Sequence, residues 1–330
     1  MSKTSNHEQV ANLLFIGFLV FILLTAGFGG WYVLGRSAPI VCNPGEPLAF
    51  VRPIPPCAEP THEGVTIGER MTLAQNVEEY IDTKIKEKHL AEAAVYFRDL
   101  SEGPWFGIDE DAEFVPASLM KLPLAMWFYK DAEVQAGALD EQIEFTGPKG
   151  ISITRFPAQH DVEPGNVYTI RELVNFLLAE SSNDASKVLS EYAGLANRNT
   201  VFADLDMPLV TPEKDYLIDV RTYAAFFRVL YNTSYLSRES SQELLATMAS
   251  SSFREGLVAG VPENIQIAHK FGEYESPNRE GEIQLHDCGV VYVPGQPYVL
   301  CVMTRGGNYE NLTKVIAEIS RMAHATVSAK

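Results

Sequence analysis

Three short segments of this 330-residue chain carry side chains suited to acyl transfer through a serine. Ser118 and Lys121 form the first segment, Ser181 and Asn183 the second, and Lys270 belongs to the third. A serine hydroxyl becomes nucleophilic when a neighbouring base takes its proton, and the resulting oxyanion needs hydrogen-bond donors. Together the segments supply a nucleophile, a base, a proton shuttle and anion-binding groups.

Ser118 opens a predicted apolar helix, Ser118–Ala136, where a serine ordinarily serves as the N-cap. Lys121 is three residues further along and lies on the same helical face, so hydroxyl and amine are within hydrogen-bond reach. This is the only Ser-x-x-Lys in the chain, and a lysine on an apolar helix is costly unless it serves a purpose. To act as a base, Lys121 must be neutral part of the time. Burial and the second ammonium of Lys270 would both lower its pKa.

The other two segments also have simpler explanations. Ser181 and Asn183 separate two predicted helices and could merely cap them. In the functional interpretation, Ser181 passes a proton to the leaving nitrogen and Asn183 holds a substrate amide. Lys270 lies on a predicted strand, where an edge lysine can simply deter aggregation. Gly272, two residues later, would let a ligand approach the backbone closely.

The elements that must position these groups follow a clear order. The first predicted helix, Glu69–His89, has Met71, Val77, Tyr80, Ile81 and Ile85 as its inner face. A strand pair follows, then a mostly helical region at about 117–250, three more strands and a final helix. The predicted strands are Ala93–Leu100, Pro104–Asp109, Asn264–Tyr274, Glu282–Val293 and Tyr298–Arg305, and the final helix is Asn311–Val327. This order predicts an α/β (α+β) fold: an antiparallel five-stranded sheet flanked by helices, with an inserted all-α subdomain and a cleft between them.

Composition excludes several classes of function. The net charge of −17 and the pI near 4.8 argue against nucleic-acid binding, which requires basic patches. No Cys/His spacing indicates zinc, and we expect no metal, no organic cofactor and a monomer. The four cysteines form two local pairs, Cys42 with Cys57 and Cys288 with Cys301. For the second pair, a disulfide across a short turn and two buried free thiols are both possible.

The N-terminal region predicts a membrane anchor. Gln9–Gly35 contains no charged residue and is long enough to cross a hydrocarbon core of about 30 Å as a helix. The alternative is a cleaved secretory signal, whose apolar core usually spans only about 7–15 residues. Seven prolines between Ala38 and Pro60 indicate a stiff spacer. We therefore expect a cytoplasmic tail (1–8), a single transmembrane anchor (9–35) and a Pro-rich linker (36–66).

With these motifs in order, the chain resembles the class A β-lactamase and penicillin-binding DD-peptidase superfamily of Ser-x-x-Lys hydrolases. The resemblance covers roughly residues 93–323 and includes the runs 105–108, 116–123, 286–292 and 297–300. It implies a catalytic domain over 67–330. In that domain Ser118 would be the acylated nucleophile, Lys121 its base, Ser181 the proton shuttle and Asn183 the amide contact. It also implies that Lys270 positions the substrate, and that the N–H groups of Ser118 and Glu273 form the oxyanion hole beside Gly272.

Three departures from the family pattern bear on activity. Ser182 stands where class A enzymes usually carry Asp, and Phe271 replaces a Thr or Ser whose hydroxyl would bind the carboxylate of the ligand. Third, the chain lacks the Glu-x-x-Leu-Asn loop whose glutamate hydrolyses the acyl-enzyme. The corresponding segment, 204–213, offers Asp204 and Asp206, neither of which we assign to that role.

The resemblance therefore implies a membrane-anchored, extracytoplasmic serine hydrolase that acylates Ser118 and cleaves β-lactam amides, with slow deacylation. Two alternatives remain open. One is a cell-wall enzyme acting on D-alanyl-D-alanine peptides, as a carboxypeptidase or transpeptidase. The other is a sensor or scaffold that binds penicillins without turnover.

Overall fold

Five antiparallel strands form the central sheet of the computed structural model, which describes residues 48–53, 65–101, 103–150, 154–211, 216–277 and 281–329. The strands are β1 (Glu92–Asp99), β2 (Trp105–Ile108), β7 (Ile267–Glu275), β8 (Ile283–Val291) and β9 (Tyr298–Gly306). Their order across the sheet is β2-β1-β9-β8-β7. The pairing of β1 with β9 joins the N-terminal and C-terminal strands, so the predicted five-stranded sheet is confirmed.

Helices cover both faces of this sheet. One face packs against α1 (Ile67–Lys86) and α7 (Tyr309–Ser328), the other against the helical subdomain. Successive side chains of a strand point to opposite faces. Val95 and Phe97 therefore enter the core beneath α1 and α7, whereas Tyr96 enters the core shared with the helical subdomain. Burial on both faces explains why β9 and the middle of β1 form nearly continuous apolar runs.

The inner face of α1 differs from the predicted one. Leu73, Val77 and Ile81 are buried, whereas Met71 is 58% and Ile85 39% exposed. Residues four apart on a helix drift by about 40° per step, so a stripe through residues 73, 77 and 81 has turned away from the sheet by residue 85. Met71 lies on the opposite side of the helix from Leu73.

The predicted helical insertion between β2 and β7 is confirmed. Its helices are α2 (Lys121–Ala132), α3 (Ile170–Ala179), α4 (Asn183–Asp204), α5 (Val220–Tyr231) and α6 (Arg238–Ala249). Two short ladders brace it, β3 (Glu113–Phe114) with β6 (Ile218–Asp219) and β4 (Gln142–Glu144) with β5 (Val167–Thr169). The first nine residues of α2 are buried except for Trp127, so this helix fills the centre of the subdomain.

Cys288 and Cys301 lie directly opposite each other on β8 and β9 and form a disulfide. The disulfide is therefore the correct alternative for this pair. Cys42 and Cys57 lie outside the described residues, as do the predicted tail and anchor. Within the ranges given above, no helix is long and apolar enough to span a bilayer.

Residues 48–53, which belong to the predicted linker, pack on the domain. Val51 is buried, the Arg52 N–H donates to the Tyr231 carbonyl at 2.8 Å, and the rings of Phe50 and Tyr292 meet edge to face. This part of the linker is therefore tied to the helical subdomain.

Candidate active site

Ser118 lies in a 3-10 turn, Ala117–Met120, that leads directly into α2. No side chain caps the start of this turn, so Ser118 is not the N-cap that its position suggested. The residue before it has φ of 49°, a left-handed conformation that costs an L-residue roughly 1–2 kcal/mol. The turn is held by the buried side chain of Leu119 and by the Tyr223 hydroxyl, which donates to the Leu119 carbonyl at 3.0 Å.

The strand β7 passes this turn in direct backbone contact at Gly272. A Cβ atom added to Gly272 would lie 2.8 Å from the Pro116 carbonyl oxygen and 3.2 Å from the Leu119 nitrogen. Only glycine fits such an approach, although it is the chain itself rather than a ligand that comes close. The contact brings Glu273, the next residue on β7, beside the turn that carries Ser118.

The two lysine ammoniums are buried and meet at one hydroxyl. Lys121 is 5% exposed and donates to the Ser181 carbonyl, to Ser181 Oγ at 3.2 Å and to Asn183 Oδ1 at 2.7 Å. Lys270 is 1% exposed and donates to Ser181 Oγ at 2.8 Å and to the Phe271 carbonyl at 2.9 Å. Ser181 itself is held in a left-handed conformation with φ of 56°. Its hydroxyl therefore connects the second and third sequence segments to the first.

Desolvation lowers the pKa values of both lysines. Burial lowers the pKa of Lys121 to about 7, while the negative charges of Asp161 and Glu273 act in the opposite direction. Burial, followed by the charge of Lys121, lowers the pKa of Lys270 well below its ordinary value. A base whose pKa lies near neutrality is suited to accept a proton and return it.

These groups border a cleft of ≈ 540 Å³. Of the predicted residues, Ser118, Ser181, Asn183 and Glu273 line it, and the two lysines lie behind Ser181. The facing side is formed by residues 149–163, with 151–153 outside the described part. Among the described residues the hydrogen bonds of Lys121 run to the second segment rather than to Ser118 Oγ. Catalytic hydrogen bonds commonly tighten only once substrate is bound.

Sequence reasoning missed Asp161. Its carboxylate accepts a hydrogen bond from the Ser182 hydroxyl, which in turn accepts the Ala185 N–H at 2.9 Å and caps α4. Asp161 is also the carboxylate with the largest effect on the pKa of Lys121. It lies in a polar loop without periodicity and meets Ser182 only in the folded chain, so no sequence signal could have identified it.

A second missed feature is the buried pair behind Lys270. His269 Nδ1 and Asp287 Oδ1 are 2.8 Å apart, and the other oxygen of Asp287 accepts the Leu257 N–H at 2.9 Å. The negative charge of Asp287 favours the protonated form of Lys270 and so raises its pKa against the larger effect of burial.

Asp204 and Asp206, which stand where the deacylating glutamate is expected, are not among the described residues that line the cleft. Asp204 instead accepts a hydrogen bond from the Tyr235 hydroxyl at 2.8 Å. Across the described ranges, no group of three or more His, Cys, Asp or Glu side chains could hold a metal ion.

This chain is similar to known beta-lactamases. Residues 74–327 match the beta-lactamase enzyme family. Among curated proteins, beta-lactamase VEB-1 of Pseudomonas aeruginosa is 23% identical over 263 residues, covering 73% of this chain and 87% of that protein.

Solved structures show the same fold. PBP-A aligns with a TM-score of 0.65 and 23% identity, covering 83% of this chain and 100% of that one. The TLA-1 extended-spectrum beta-lactamase aligns with a TM-score of 0.67 and 18% identity, covering 78% and 99% of the two chains. A PBP-A mutant solved as its acyl-enzyme complex with penicillin G also aligns, with a TM-score of 0.65. The family match extends over most of the chain, and the protein belongs to the beta-lactamase enzyme family of serine hydrolases.

Proposed function

We propose that this protein forms an acyl-enzyme on Ser118 and hydrolyses β-lactam amides. The observation that carries the proposal is the hydroxyl of Ser181, which accepts hydrogen bonds from both Lys121 and Lys270 at the edge of the cleft lined by Ser118. A nucleophile, a base near neutrality and a route for its proton are thus available within one site.

In the proposed acylation, Ser118 Oγ bonds to the carbonyl carbon of the amide and gives its proton to neutral Lys121. The C–N bond then breaks, and the proton passes from Lys121 through the Ser181 hydroxyl to the leaving nitrogen. Lys270, bonded to the same hydroxyl, holds it in the donating orientation. The N–H groups of Ser118 and Glu273 would bind the oxyanion, since Gly272 brings the two segments into contact. Asn183, at the rim, would hold the substrate amide.

A second candidate is a cell-wall enzyme acting on D-alanyl-D-alanine peptides. It is favoured by the missing Glu-x-x-Leu-Asn loop in the sequence and by Asp204 and Asp206, which are not among the described residues that line the cleft. An acyl-enzyme that waits for another acceptor would suit a transpeptidase or a slow carboxypeptidase.

Acylation and turnover are tested separately. The full-length protein in detergent is incubated with benzylpenicillin and examined by intact mass spectrometry. Ser118→Ala is the inactive variant, and Ser101→Ala, on a half-buried turn after β1, is the matched control. We expect a covalent adduct in wild type and in the control but not in Ser118→Ala. Hydrolysis of many equivalents of a chromogenic cephalosporin would support the β-lactamase. A stable adduct together with release of D-alanine from a pentapeptide would support the second candidate. The absence of any adduct together with the absence of hydrolysis would reject both.

We also propose that residues 9–35 anchor the domain on the outer side of the cell membrane. The support is the uncharged stretch itself and a substrate class found outside the cytoplasm. Cell fractionation should recover the chain in alkali-washed membranes, and added protease should digest the domain in intact spheroplasts. Recovery in the soluble fraction would contradict the anchor.

A further inference from the structure

The carboxylate of Glu273 joins the two sides of the cleft. Glu273 Oε2 accepts the Arg155 N–H at 2.8 Å and Oε1 accepts the Phe156 N–H at 3.3 Å. More than one hundred residues separate these partners along the chain, so the contact exists only in the folded protein. We call this pair of hydrogen bonds the Glu273 bridge.

Two consecutive backbone N–H groups form a ready site for a carboxylate, because both dipoles point at the same anion. The donors in the Glu273 bridge would serve a substrate carboxylate equally well. Here the protein fills this site with its own side chain. Ser118, Phe156 and Glu273 line the same cleft, so the occupied site borders the place where the amide must bind.

The charges around the cleft also disfavour the binding of a substrate carboxylate. Four acidic side chains and one lysine line its described part: Asp161, Glu163, Asp184, Glu273 and Lys149. The lysine is already paired, since Lys149 Nζ lies 2.6 Å from Glu163. The two buried ammoniums have lowered pKa values and offer less positive charge than ordinary lysines.

The neighbouring residue on β7 offers no compensating donor. Phe271 is buried, its ring stacks on Phe253 at 4.2 Å between centroids, and the Lys270 ammonium lies over the same ring. Between Lys270 and Gly272 the strand therefore carries a buried aromatic ring, which is not among the described residues that line the cleft, rather than a hydroxyl.

We propose that Glu273 is a specificity-determining residue: its carboxylate occupies the anion site of Arg155 and Phe156, so the enzyme prefers amides that are neutral or cationic at this end over amides that carry a carboxylate there. This inference rests on the proposed acylation of Ser118. An anionic substrate must displace the Glu273 carboxylate or bind beside it, and either costs affinity that an uncharged substrate keeps.

Benzylpenicillin and its methyl ester test this preference, since they differ only in the charge of one carboxyl group. The rate constant for adduct formation is measured by intact mass spectrometry for the full-length protein and divided by the alkaline hydrolysis rate of each probe. For wild type, we expect the corrected rate constant to be about tenfold or more higher for the ester than for the acid. This factor is equivalent to one charge-assisted hydrogen bond. In Glu273→Gln and Glu273→Ala the preference should fall about tenfold, through faster acylation by the acid.

The matched control is Glu275→Gln, which removes the same charge from an exposed position on the same strand. It should keep the wild-type preference, and acylation by the ester in the Glu273 variants shows that their site is intact. Acylation with an unchanged ratio in both Glu273 variants, or a wild type that favours the acid, would overturn the role of Glu273 alone. Failure of both probes to acylate any form would overturn the proposed function, and the preference with it.

Discussion

The pH dependence of acylation tests the proposed role of Lys121. With a pKa of about 7, this lysine is neutral in about 9% of molecules at pH 6, about half at pH 7 and about 91% at pH 8. A lysine with its ordinary pKa would be neutral in only about 0.3% at pH 8. If neutral Lys121 accepts the proton of Ser118, the rate of acylation should rise about tenfold between about pH 6 and 8 and then level off.

The assay measures the rate constant for adduct formation on Ser118 by intact mass spectrometry, from about pH 5.5 to 9.5. Each value is corrected for the spontaneous hydrolysis of benzylpenicillin. Lys121→Arg keeps a positive charge that cannot be lost in this range, so we expect it to lower the rate by about 10²–10⁴ and to remove the rise near pH 7. The control is Lys130→Arg on the same helix, where Lys130 donates to the Tyr235 carbonyl at 2.8 Å, away from the cleft. It should keep the wild-type profile.

Two results would refute the reasoning. A rate that climbs about tenfold per pH unit up to about pH 9.5, without levelling off, would mean that Lys121 has the pKa of an exposed lysine and is not desolvated in the working enzyme. A Lys121→Arg protein that retains the wild-type rate and profile would mean that another group accepts the proton of Ser118.

Further predictions concern the neighbours of this lysine. The folded state holds the Lys121 proton less tightly than the unfolded chain. The free energy of unfolding of wild type, measured by urea denaturation, should therefore rise relative to that of Lys121→Met by about 1 kcal/mol per pH unit between about pH 7 and 9. A difference that stays constant with pH would contradict the lowered pKa of Lys121. Ser181→Ala should slow acylation by about 10²–10⁴ with little change in melting temperature, and a wild-type rate would remove Ser181 from the proton route. Asp161→Asn removes a charge that raises the pKa of Lys121, so the midpoint of the acylation profile should move to lower pH, and a move to higher pH would count against this electrostatic role. Gly272→Ala places a Cβ 2.8 Å from the Pro116 carbonyl oxygen, so both the melting temperature and the acylation rate should fall. A variant with the wild-type melting temperature and acylation rate would show that β7 can shift freely.

The pattern of elements could be predicted because it depends on neighbours in the chain. Strand alternation, the apolar helix α2 and the turn between Cys288 and Cys301 are local signals, and the five-stranded sheet with its helical insertion follows from them. The inner face of α1 was predicted wrongly at Met71 and Ile85 because both are apolar, and the pattern alone does not show how far the sheet extends beneath the helix.

The site was predictable to the extent that its residues occur in short motifs. Ser118, Ser181 and Asn183 line one cleft, and the two lysines lie behind Ser181. Asp161 and the carboxylate function of Glu273 were not predictable, since their partners are distant in sequence and are ordinary polar or backbone groups.

The sequence by itself determined the chemical groups, their order and the elements that carry them. Only the tertiary structure decided that Lys121 and Lys270 share the hydroxyl of Ser181, that burial lowers the pKa values of both, and that Glu273 fills an anion site across the cleft. The reason is physical: residue types and spacing specify local hydrogen bonds and periodic burial, whereas desolvation and charge coupling depend on which distant segments pack around a group.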